Sequence, residues 1–437
     1  MKVYFMSFGC KVNQYETESL SADFTSHGFE ITDSPEKADV IIINSCTVTA
    51  SGDSKSLHFL KKARKNNPNA VIVFTGCVPQ AAPDIAEKIP EADIVTGTKN
   101  RNTILSSVLD FIKNKNRITN INEYTRSDVF EQTVCGNFSE RTRAFVKIQD
   151  GCNQFCSYCI IPYARGRCRS KPLDVLKKEI KTLAENGIKE IVLVGINLMF
   201  YGIDTGQRLA DAVEVCCHID GIERVRLGSL EPEMISDEDL IRLSASDKFC
   251  PQFHLSLQSG CDKTLKAMRR QYTAEEYYSL VKKIRKTFPD CSVTTDIMAG
   301  FPGETDEDFE ESLKFAEKIG FAKIHVFQYS VRHGTAAASM PQVPQYIKSE
   351  RAVKMKNTAD MLQKAYLENQ VGKIFPVLFE RENSPDFHQG YTPNYTLVKI
   401  PAKKSEKSLR RMIFYVKIVR SENDFCLGEI INTLSDI

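Results

Sequence analysis

Three cysteines stand within eight residues in the stretch CNQFCSYC. Cys152, Cys156 and Cys159 have the spacing C-x3-C-x2-C. Only Asp150 and Gly151 separate Cys152 from the apolar run RAFVKIQ. Thiolates hold iron-sulfur clusters, and four are needed to fill all four irons of a 4Fe-4S cubane. Three thiolates leave one iron open for another ligand. The alternative is a zinc site with Cys168 as fourth ligand, although structural zinc prefers paired C-x2-C units.

Three further cysteines each end an apolar run. The runs are KVYFMSFGC, DVIIINSC and AVIVFTGC, which end at Cys10, Cys46 and Cys77. Cysteines at strand ends are most often core residues. These three are each preceded by a small residue that lets backbone approach a cluster, namely Gly9, Ser45 and Gly76. Because the carboxyl ends of parallel strands meet at one edge of a sheet, we expect the three thiols to converge there.

The elements that must position these cysteines follow from periodicity. Residues 1–112 alternate apolar strands with helical segments, which predicts a parallel α/β sheet. After a polar, poorly periodic stretch at 112–142, six strand-like runs recur within 138–370 and predict a partial (β/α)6 barrel. Within residues 371–437 the runs KIFPVLFER, GYTPNYTLVKIP and RMIFYVKIV alternate as half-buried strands, which predicts a small β domain. The loops after the barrel strands carry the polar or small residues Gly195, Asn197, Ser229, Glu231 and Gln258.

Composition limits the classes of function. The 437 residues are 42% hydrophobic and 26% charged, with Lys+Arg 58 against Asp+Glu 56, so any affinity for nucleic acid must come from local patches. No apolar stretch approaches the roughly 20 residues of a membrane helix, and the first residues lack a secretory signal, so we expect a cytoplasmic protein without membrane association. Fourteen cysteines in that compartment indicate metal or redox chemistry.

Two basic stretches are candidates for contact with RNA. Eight Lys or Arg and one acid, Glu406, lie between Lys399 and Arg420, and RGRCRSK beside the first cysteine triplet adds four more cations. Tyr391 and Tyr395 are candidates for stacking on unpaired bases. The alternatives are a solvated lysine-rich hairpin for the charge run and core packing for the two tyrosines.

Both triplets, in this order, resemble the methylthiotransferase family of radical S-adenosylmethionine enzymes. The resemblance covers nearly the whole chain and includes YARGRCRSKP, LQSGCDKTLKAMRRQYT, TDIMAGFPGETDEDF and VFQYSVRHGTAA. GCKVNQYE resembles the branch that acts on threonylcarbamoyladenosine in tRNA, whereas members acting on isopentenyladenosine tend to read GCQMN and those modifying a ribosomal protein GCPKN. The resemblance implies a methylthiotransferase domain, a radical core and a TRAM-like RNA-binding β-barrel. Cys168 is a departure from the family pattern.

The resemblance also implies cofactors, partners and a reaction. Two 4Fe-4S clusters would be held by Cys152, Cys156 and Cys159 and by Cys10, Cys46 and Cys77; the first would cleave S-adenosylmethionine to a 5'-deoxyadenosyl radical and the second would carry sulfur. We interpret Gly195, Asn197, Ser229, Glu231 and Gln258 as S-adenosylmethionine-binding residues, with ordinary loop capping as the alternative. The implied partners are tRNA, an electron donor such as flavodoxin or ferredoxin, and a sulfur source.

The implied reaction converts threonylcarbamoyladenosine next to the anticodon into its 2-methylthio derivative. Three polar residues follow Cys10, namely Lys11, Asn13 and Gln14, and they could bind a substituent that carries a carboxylate and a urea-like group. Alternatively, Lys11 is a solvated loop lysine, and Asn13 and Gln14 cap the following helix. An isopentenyl group would need an apolar pocket instead. The other hypotheses are isopentenyladenosine or a ribosomal protein as substrate, and a non-enzymatic zinc protein that binds RNA.

Overall fold

The structure, a computed structural model, describes residues 1–133, 142–382, 384–402 and 408–431. Part of the predicted basic run, residues 403–407 with Glu406, lies outside the described residues. Within the described ranges, no helix is both long enough and apolar enough to cross a membrane.

The N-terminal part is one parallel sheet with helices between its strands, as the sequence predicts. Its elements are β1 (Lys2–Ser7), α1 (Lys11–Ser26), β2 (Glu30–Ile31), β3 (Val40–Ser45), α2 (Ala50–Asn66), β4 (Val71–Gly76), α3 (Cys77–Ala81), α4 (Ile85–Lys88), β5 (Ile94–Thr96), α5 (Ile104–Asn114) and β6 (Ile118–Asn120). The strand order is β2-β1-β3-β4-β5-β6. Strands β3 and β4 are buried along their whole length because helices cover both faces of a parallel sheet. Strand β6 joins this sheet beyond the predicted boundary at residue 112.

The central part contains the six predicted strand positions of a partial barrel. Its elements are β7 (Arg143–Lys147), β8 (Gln149–Asp150), α6 (Ile161–Arg165), β9 (Arg169–Ser170), α7 (Leu173–Glu185), β10 (Glu190–Val194), α8 (Leu209–Cys217), β11 (Arg224–Leu227), β12 (Ser229–Leu230), α9 (Asp237–Ser244), β13 (Gln252–Leu255), α10 (Asp262–Ala267), α11 (Ala274–Thr287), β14 (Ser292–Ala299), α12 (Asp306–Ile319), β15 (Lys323–Gln328) and α13 (Gln345–Glu368). The parallel strands form the sheets β11-β10-β7 and β12-β13-β14-β15. Strands β11 and β12 together occupy one strand position of the barrel, and Gly228 separates them.

Strands β7 and β15 are the two edges of this barrel, and no described strand pairs with both of them. Apolar side chains of alternate strand residues pack outward against the helices in one large core. The other residues of each strand therefore face the lumen. On β15 these are Lys323, His325 and Phe327, and all three are exposed, so the lumen is open to solvent along this edge.

The C-terminal part is a closed barrel of five strands in the order β16-β17-β18-β20-β19. They are β16 (Ile374–Phe379), β17 (Phe387–Tyr391), β18 (Leu397–Pro401), β19 (Ile413–Ser421) and β20 (Cys426–Ile430). The run GYTPNYTLVKIP, which we interpret from sequence as one strand, is divided by a turn at residues 392–396. Tyr395 in this turn has a φ of +66°, which a continuous strand cannot contain.

This turn packs against residues of β7 and β11 in the central barrel. Tyr391 and Tyr395 stack on each other at 4.5 Å, and the guanidinium of Arg143 lies 4.8 Å and 5.1 Å from their ring centroids. Arg226 lies 4.6 Å from the ring of Tyr395, and Arg224 donates to the carbonyl of Tyr391 at 2.8 Å. The packing alternative therefore describes both tyrosines better than base stacking does.

Candidate active site

Cys10, Cys46 and Cys77 lie together at the carboxyl end of the N-terminal sheet. Cys10 precedes α1, Cys46 follows β3 and Cys77 begins α3. Burial, followed by the neighbouring Cys77 and Cys10, raises the pKa of the Cys46 thiol to about 12. Gly9 has a φ of +92°, and a β-carbon there would overlap the Cys46 side chain. The glycine before Cys10 thus permits the close approach that we expect from the sequence.

Arg165 connects these thiols to the central barrel. Its Nε donates to Cys77 Sγ at 3.3 Å, and its Nη2 donates to Asn13 Oδ1 at 2.6 Å. Asn13 Nδ2 in turn donates to the carbonyl oxygens of Phe8 and Ser45, both at 2.9 Å. Asn13 is fully buried and fastens the backbone around Cys10 and Cys46. The expectation that Asn13 faces a substrate is therefore not supported.

A buried group of charges surrounds Arg165. The Glu16 carboxylate accepts from Arg165 at 2.5 Å and from Lys147 at 2.8 Å, and it pairs with Arg101 at 3.0 Å. Asp150 pairs with Lys147 at 3.1 Å and also with Arg165 and Arg169. Burial alone would raise the pKa of Glu16, but the three cations lower it to about 2. Four cations against two acids leave a surplus of positive charge next to the Cys77 thiol, which favours an anionic group at this place.

Cys152, Cys156 and Cys159 lie in the loop after β8. Burial, together with the charge of Cys156, raises the pKa of Cys152 to about 11. Cys159 interacts electrostatically with both of the others. Arg270 Nη1 donates to Cys156 Sγ at 3.5 Å. The three thiols therefore lie close enough to one another to interact electrostatically.

Cys168 lies beside this triplet rather than within it. Its thiol donates to the carbonyl of Gly151 at 3.7 Å. Burial, followed by the charge of the Cys152 thiolate, raises its pKa to about 12. We therefore continue to interpret Cys168 as a bystander.

Of the five predicted cofactor residues, Asn197 contacts the cysteine loop directly and Glu231 is connected to it through Arg270. Asn197 Nδ2 donates to Cys152 Sγ at 3.9 Å and to Gln154 Oε1 at 3.4 Å. Glu231 pairs with Arg270, the residue that donates to Cys156. Burial raises the pKa of Glu231 even though Arg270 opposes the shift.

The other three predicted cofactor residues shape the surrounding loops. A β-carbon at Gly195 would lie 2.9 Å from the Gln149 side chain, whose Oε1 accepts from the Asn197 backbone at 2.8 Å. Ser229 is exposed on the lumen face of β12. Gln258 has a φ of +67° and donates its backbone N–H to the backbone carbonyl of Asp296 at 2.8 Å.

Lys11 extends from the N-terminal sheet into the lumen of the central barrel. Its ammonium lies 5.9 Å from the ring of Phe145 on β7. A cavity of about 270 Å³ begins here. Among the central strand residues that line it, Leu227 is apolar and the others are polar, namely Gln252, His254, Ser292, Thr294, Lys323 and His325. Gln14 lies elsewhere, in a surface groove beside β1. Of the three polar residues after Cys10, only Lys11 reaches the lumen.

Comparison with known proteins identifies the family. Residues 146–316 match the Radical SAM superfamily, and residues 2–97 match the Uncharacterized protein family UPF0004. The Threonylcarbamoyladenosine tRNA methylthiotransferase MtaB of Bacillus subtilis is 38% identical, covering 99% of this chain and 97% of its own length. The chain belongs to the radical S-adenosylmethionine tRNA methylthiotransferase family. It is therefore a radical enzyme that uses S-adenosylmethionine and iron-sulfur clusters and acts on tRNA.

Other relatives mark the breadth of this methylthiotransferase family. The MtaB protein of Thermotoga maritima is 39% identical over 89% of both chains. A tRNA-2-methylthio-N(6)-dimethylallyladenosine synthase of Clostridium botulinum is 35% identical over 98% of this chain and 96% of its own. Among solved structures, the radical S-adenosylmethionine methyltransferase TsrM of Kitasatospora setae superposes with a TM-score of 0.58 at 14% identity, covering 77% of this chain and 74% of that one. The last likeness concerns the fold alone.

The residues present fit the cofactors of a methylthiotransferase. No three Cys, His, Asp or Glu side chains in the described part of the chain are arranged to hold a single metal ion. In a cubane each thiolate binds a different iron, and two sets of three free thiols suit that arrangement. Asn197 Oδ1 and Glu233 Oε2 are buried beside the loop without a hydrogen-bond partner among the described residues. Such acceptors fit a ligand that brings its own donors.

The sequence alone did not indicate three residues of this methylthiotransferase site. Arg165, Arg270 and Glu233 contact the cysteines or the loop between them, and each acts across a long separation in the chain. We predict from sequence that the cations of RGRCRSK contact RNA. That prediction is wrong for Arg165, Arg169 and Lys171, which are buried in ion pairs; Arg167 alone is exposed. The sequence signal that could have indicated their role is that these arginines follow a few residues after the cysteine motif.

Proposed function

We propose that this methylthiotransferase converts threonylcarbamoyladenosine next to the anticodon of tRNA into its 2-methylthio derivative. The observation that carries the proposal is the adjacency of Cys10 and Lys11. The first belongs to the N-terminal thiol group and the second lines a polar lumen, so sulfur and a charged substituent would meet at one place. The MtaB relatives, at 34–39% identity, support the same substrate.

Each cofactor has residues that suit it in this proposal. Cys152, Cys156 and Cys159 would hold one 4Fe-4S cluster, and Cys10, Cys46 and Cys77 the other. When bound, the cofactors supply the radical that activates an unreactive aromatic C–H bond, together with the sulfur and methyl group of the product. S-adenosylmethionine would be held by Asn197 and Glu231, with Gly195, Ser229 and Gln258 shaping its site. Arg270 orients Glu231, and Arg165 holds the N-terminal thiols against the barrel.

The proposal includes partners that the chain itself does not contain. An electron donor such as flavodoxin or ferredoxin would reduce the cluster beside Cys156, and a sulfur source would replenish the N-terminal one. Both, like the tRNA, are found in the cytoplasm, where we propose that the enzyme works.

Isopentenyladenosine is the second candidate substrate. Relatives named as dimethylallyladenosine synthases are 34–35% identical to this chain over 98% of its length. Lys11, Lys323 and His325 in the lumen favour the threonylcarbamoyl group, because an isopentenyl tail would place these polar side chains against an apolar group.

Nucleoside analysis of tRNA from a deletion strain tests the proposal. We expect the 2-methylthio derivative of threonylcarbamoyladenosine to disappear and its unmodified precursor to accumulate. A plasmid copy of the gene should restore the product, and the matched Cys156→Ala copy should not. Loss of the isopentenyl product instead, with the threonylcarbamoyl product intact, would contradict the proposal.

A further inference from the structure

The lumen cavity is bounded by all three parts of the chain. Lys11 comes from the N-terminal sheet, His254, Thr294 and His325 from the strands of the central barrel, and the turn with Tyr395 from the C-terminal barrel closes the floor. The exposed edge of β15 leaves it open to solvent on one side. A group can therefore enter from that side and meet Lys11 without displacing a folded element.

The charges at this cavity favour an anion. Lys11 and Lys323 line it, and Asp424 is its one acidic lining residue within the described ranges. Arg143 and Arg226 lie behind Lys11, where they are compensated by Glu190. Asp296 borders the cavity, but its carboxylate is engaged with His254 Nε2 at 3.2 Å. Lys11 is thus the accessible cation nearest to the cysteine triplet.

The two histidines of the cavity, His254 and His325, differ in whether their ring nitrogens can bind a ligand. Both ring nitrogens of His254 are engaged, Nδ1 with Thr294 Oγ1 at 3.0 Å and Nε2 with Asp296. This pairing fixes the ring within the wall. His325 lies with its ring centroid 5.8 Å from that of His254, on the exposed face of β15. Its imidazole is therefore placed to exchange hydrogen bonds with a polar group in the cavity.

We propose that the threonylcarbamoyl substituent binds in this cavity, with its carboxylate on Lys11 and its urea-like group against His325. The inference rests on the proposed function. The adenine C2–H bond and the N6 substituent leave the purine ring in different directions. A base whose C2 faces the cysteines can therefore extend its substituent away from them, and Lys11 reaches into the space where that substituent would lie. Lys11 and His325 thus determine which modified adenosine is accepted.

Binding of anticodon stem-loop RNAs to the cluster-loaded enzyme tests this inference. One RNA carries threonylcarbamoyladenosine and the other carries adenosine at the same position. We expect the wild type to prefer the modified RNA and Lys11→Met to lose that preference by about tenfold, the order expected when a carboxylate loses its charged partner. Lys11→Arg should retain most of it. Lys37→Met is the matched control, because Lys37 precedes β3 and lies at the opposite end of the sheet from the cysteines.

Equal preference in Lys11→Met and the wild type would overturn the inference. Should Lys11→Met fail to hold iron, His325→Ala on the exposed edge provides the second measurement; we expect a several-fold loss of preference, and an unchanged preference would overturn the inference as well. Failure of the proposed function is a different result. The wild type itself would then show no preference for the threonylcarbamoyl RNA and would methylthiolate an isopentenyladenosine RNA.

Discussion

Arg165 is a side chain of the central part that touches an N-terminal thiol. It donates to Cys77 Sγ and to the carboxylate of Glu16, and it is fully buried. A hydrogen bond to a cluster sulfur raises the reduction potential of that cluster. Removing the cation would also leave Glu16 and Asp150 with fewer partners in a buried place.

We predict that Arg165→Lys keeps the fold and lowers the midpoint potential of the N-terminal cluster, because one ammonium cannot reproduce the Nε hydrogen bond to Cys77 together with the contact to Glu16. A redox titration followed by electron paramagnetic resonance measures it. Arg165→Met should in addition destabilise the protein by about 3–5 kcal/mol in urea unfolding. An unchanged potential in Arg165→Lys would show that this arginine is only a structural bridge.

Cys168 allows a complementary test at the same scale. Its thiol donates to the carbonyl of Gly151 at 3.7 Å, and Cys152 raises its pKa electrostatically. We predict that Cys168→Ser retains wild-type iron content and wild-type cleavage of S-adenosylmethionine. Loss of iron in that variant would support ligation by four thiolates, as in the zinc alternative.

At the scale of elements, the turn at residues 392–396 positions the C-terminal barrel. Arg143 and Arg226 stack on Tyr395, and Arg226 donates to the carbonyl of Pro393 at 2.8 Å. Deleting the C-terminal barrel would expose these buried cations. A point substitution therefore separates docking from RNA binding better than truncation does.

We predict that Tyr395→Leu destabilises this docking by about 1–3 kcal/mol through lost cation–π contacts and increases proteolysis after α13. Tyr346→Leu, at an exposed tyrosine, is the control and should leave proteolysis unchanged. If Tyr395 instead stacks on a base, its replacement would weaken tRNA binding while the proteolysis rate stays at the wild-type value.

At the scale of the whole molecule, Glu16 ties the N-terminal sheet to the barrel. Its pKa is about 2 in the folded protein, against an ordinary value of 4.5. The ionised Glu16 carboxylate therefore stabilises the folded protein by about 3 kcal/mol. This stabilisation is fully present above pH 4.5 and is lost as the pH falls towards 2, where the carboxylate is protonated. We predict that Glu16→Gln loses this amount near neutral pH. Urea unfolding at several pH values should show the gap to wild type narrowing below about pH 4; a constant gap would contradict the ionic role.

Much of this architecture is predictable from the sequence because it depends on local patterns. Apolar runs that end at cysteines locate the strands, and the spacing of Cys152, Cys156 and Cys159 locates the cluster loop. The contacts of Arg165 and of Tyr395 are not predictable in this way. Both depend on how separate parts of the chain pack, and an arginine in a basic stretch has the same local pattern whether it is buried or exposed.

The central claim is that the two triplets of thiols each hold one iron-sulfur cluster. Iron analysis of two matched triple variants after anaerobic reconstitution tests it most directly. We predict that replacement of Cys152, Cys156 and Cys159 by Ala leaves about half of the wild-type iron and abolishes cleavage of S-adenosylmethionine. The same change at Cys10, Cys46 and Cys77 should also leave about half of the iron but retain cleavage. Full iron content in either triple variant would contradict the claim.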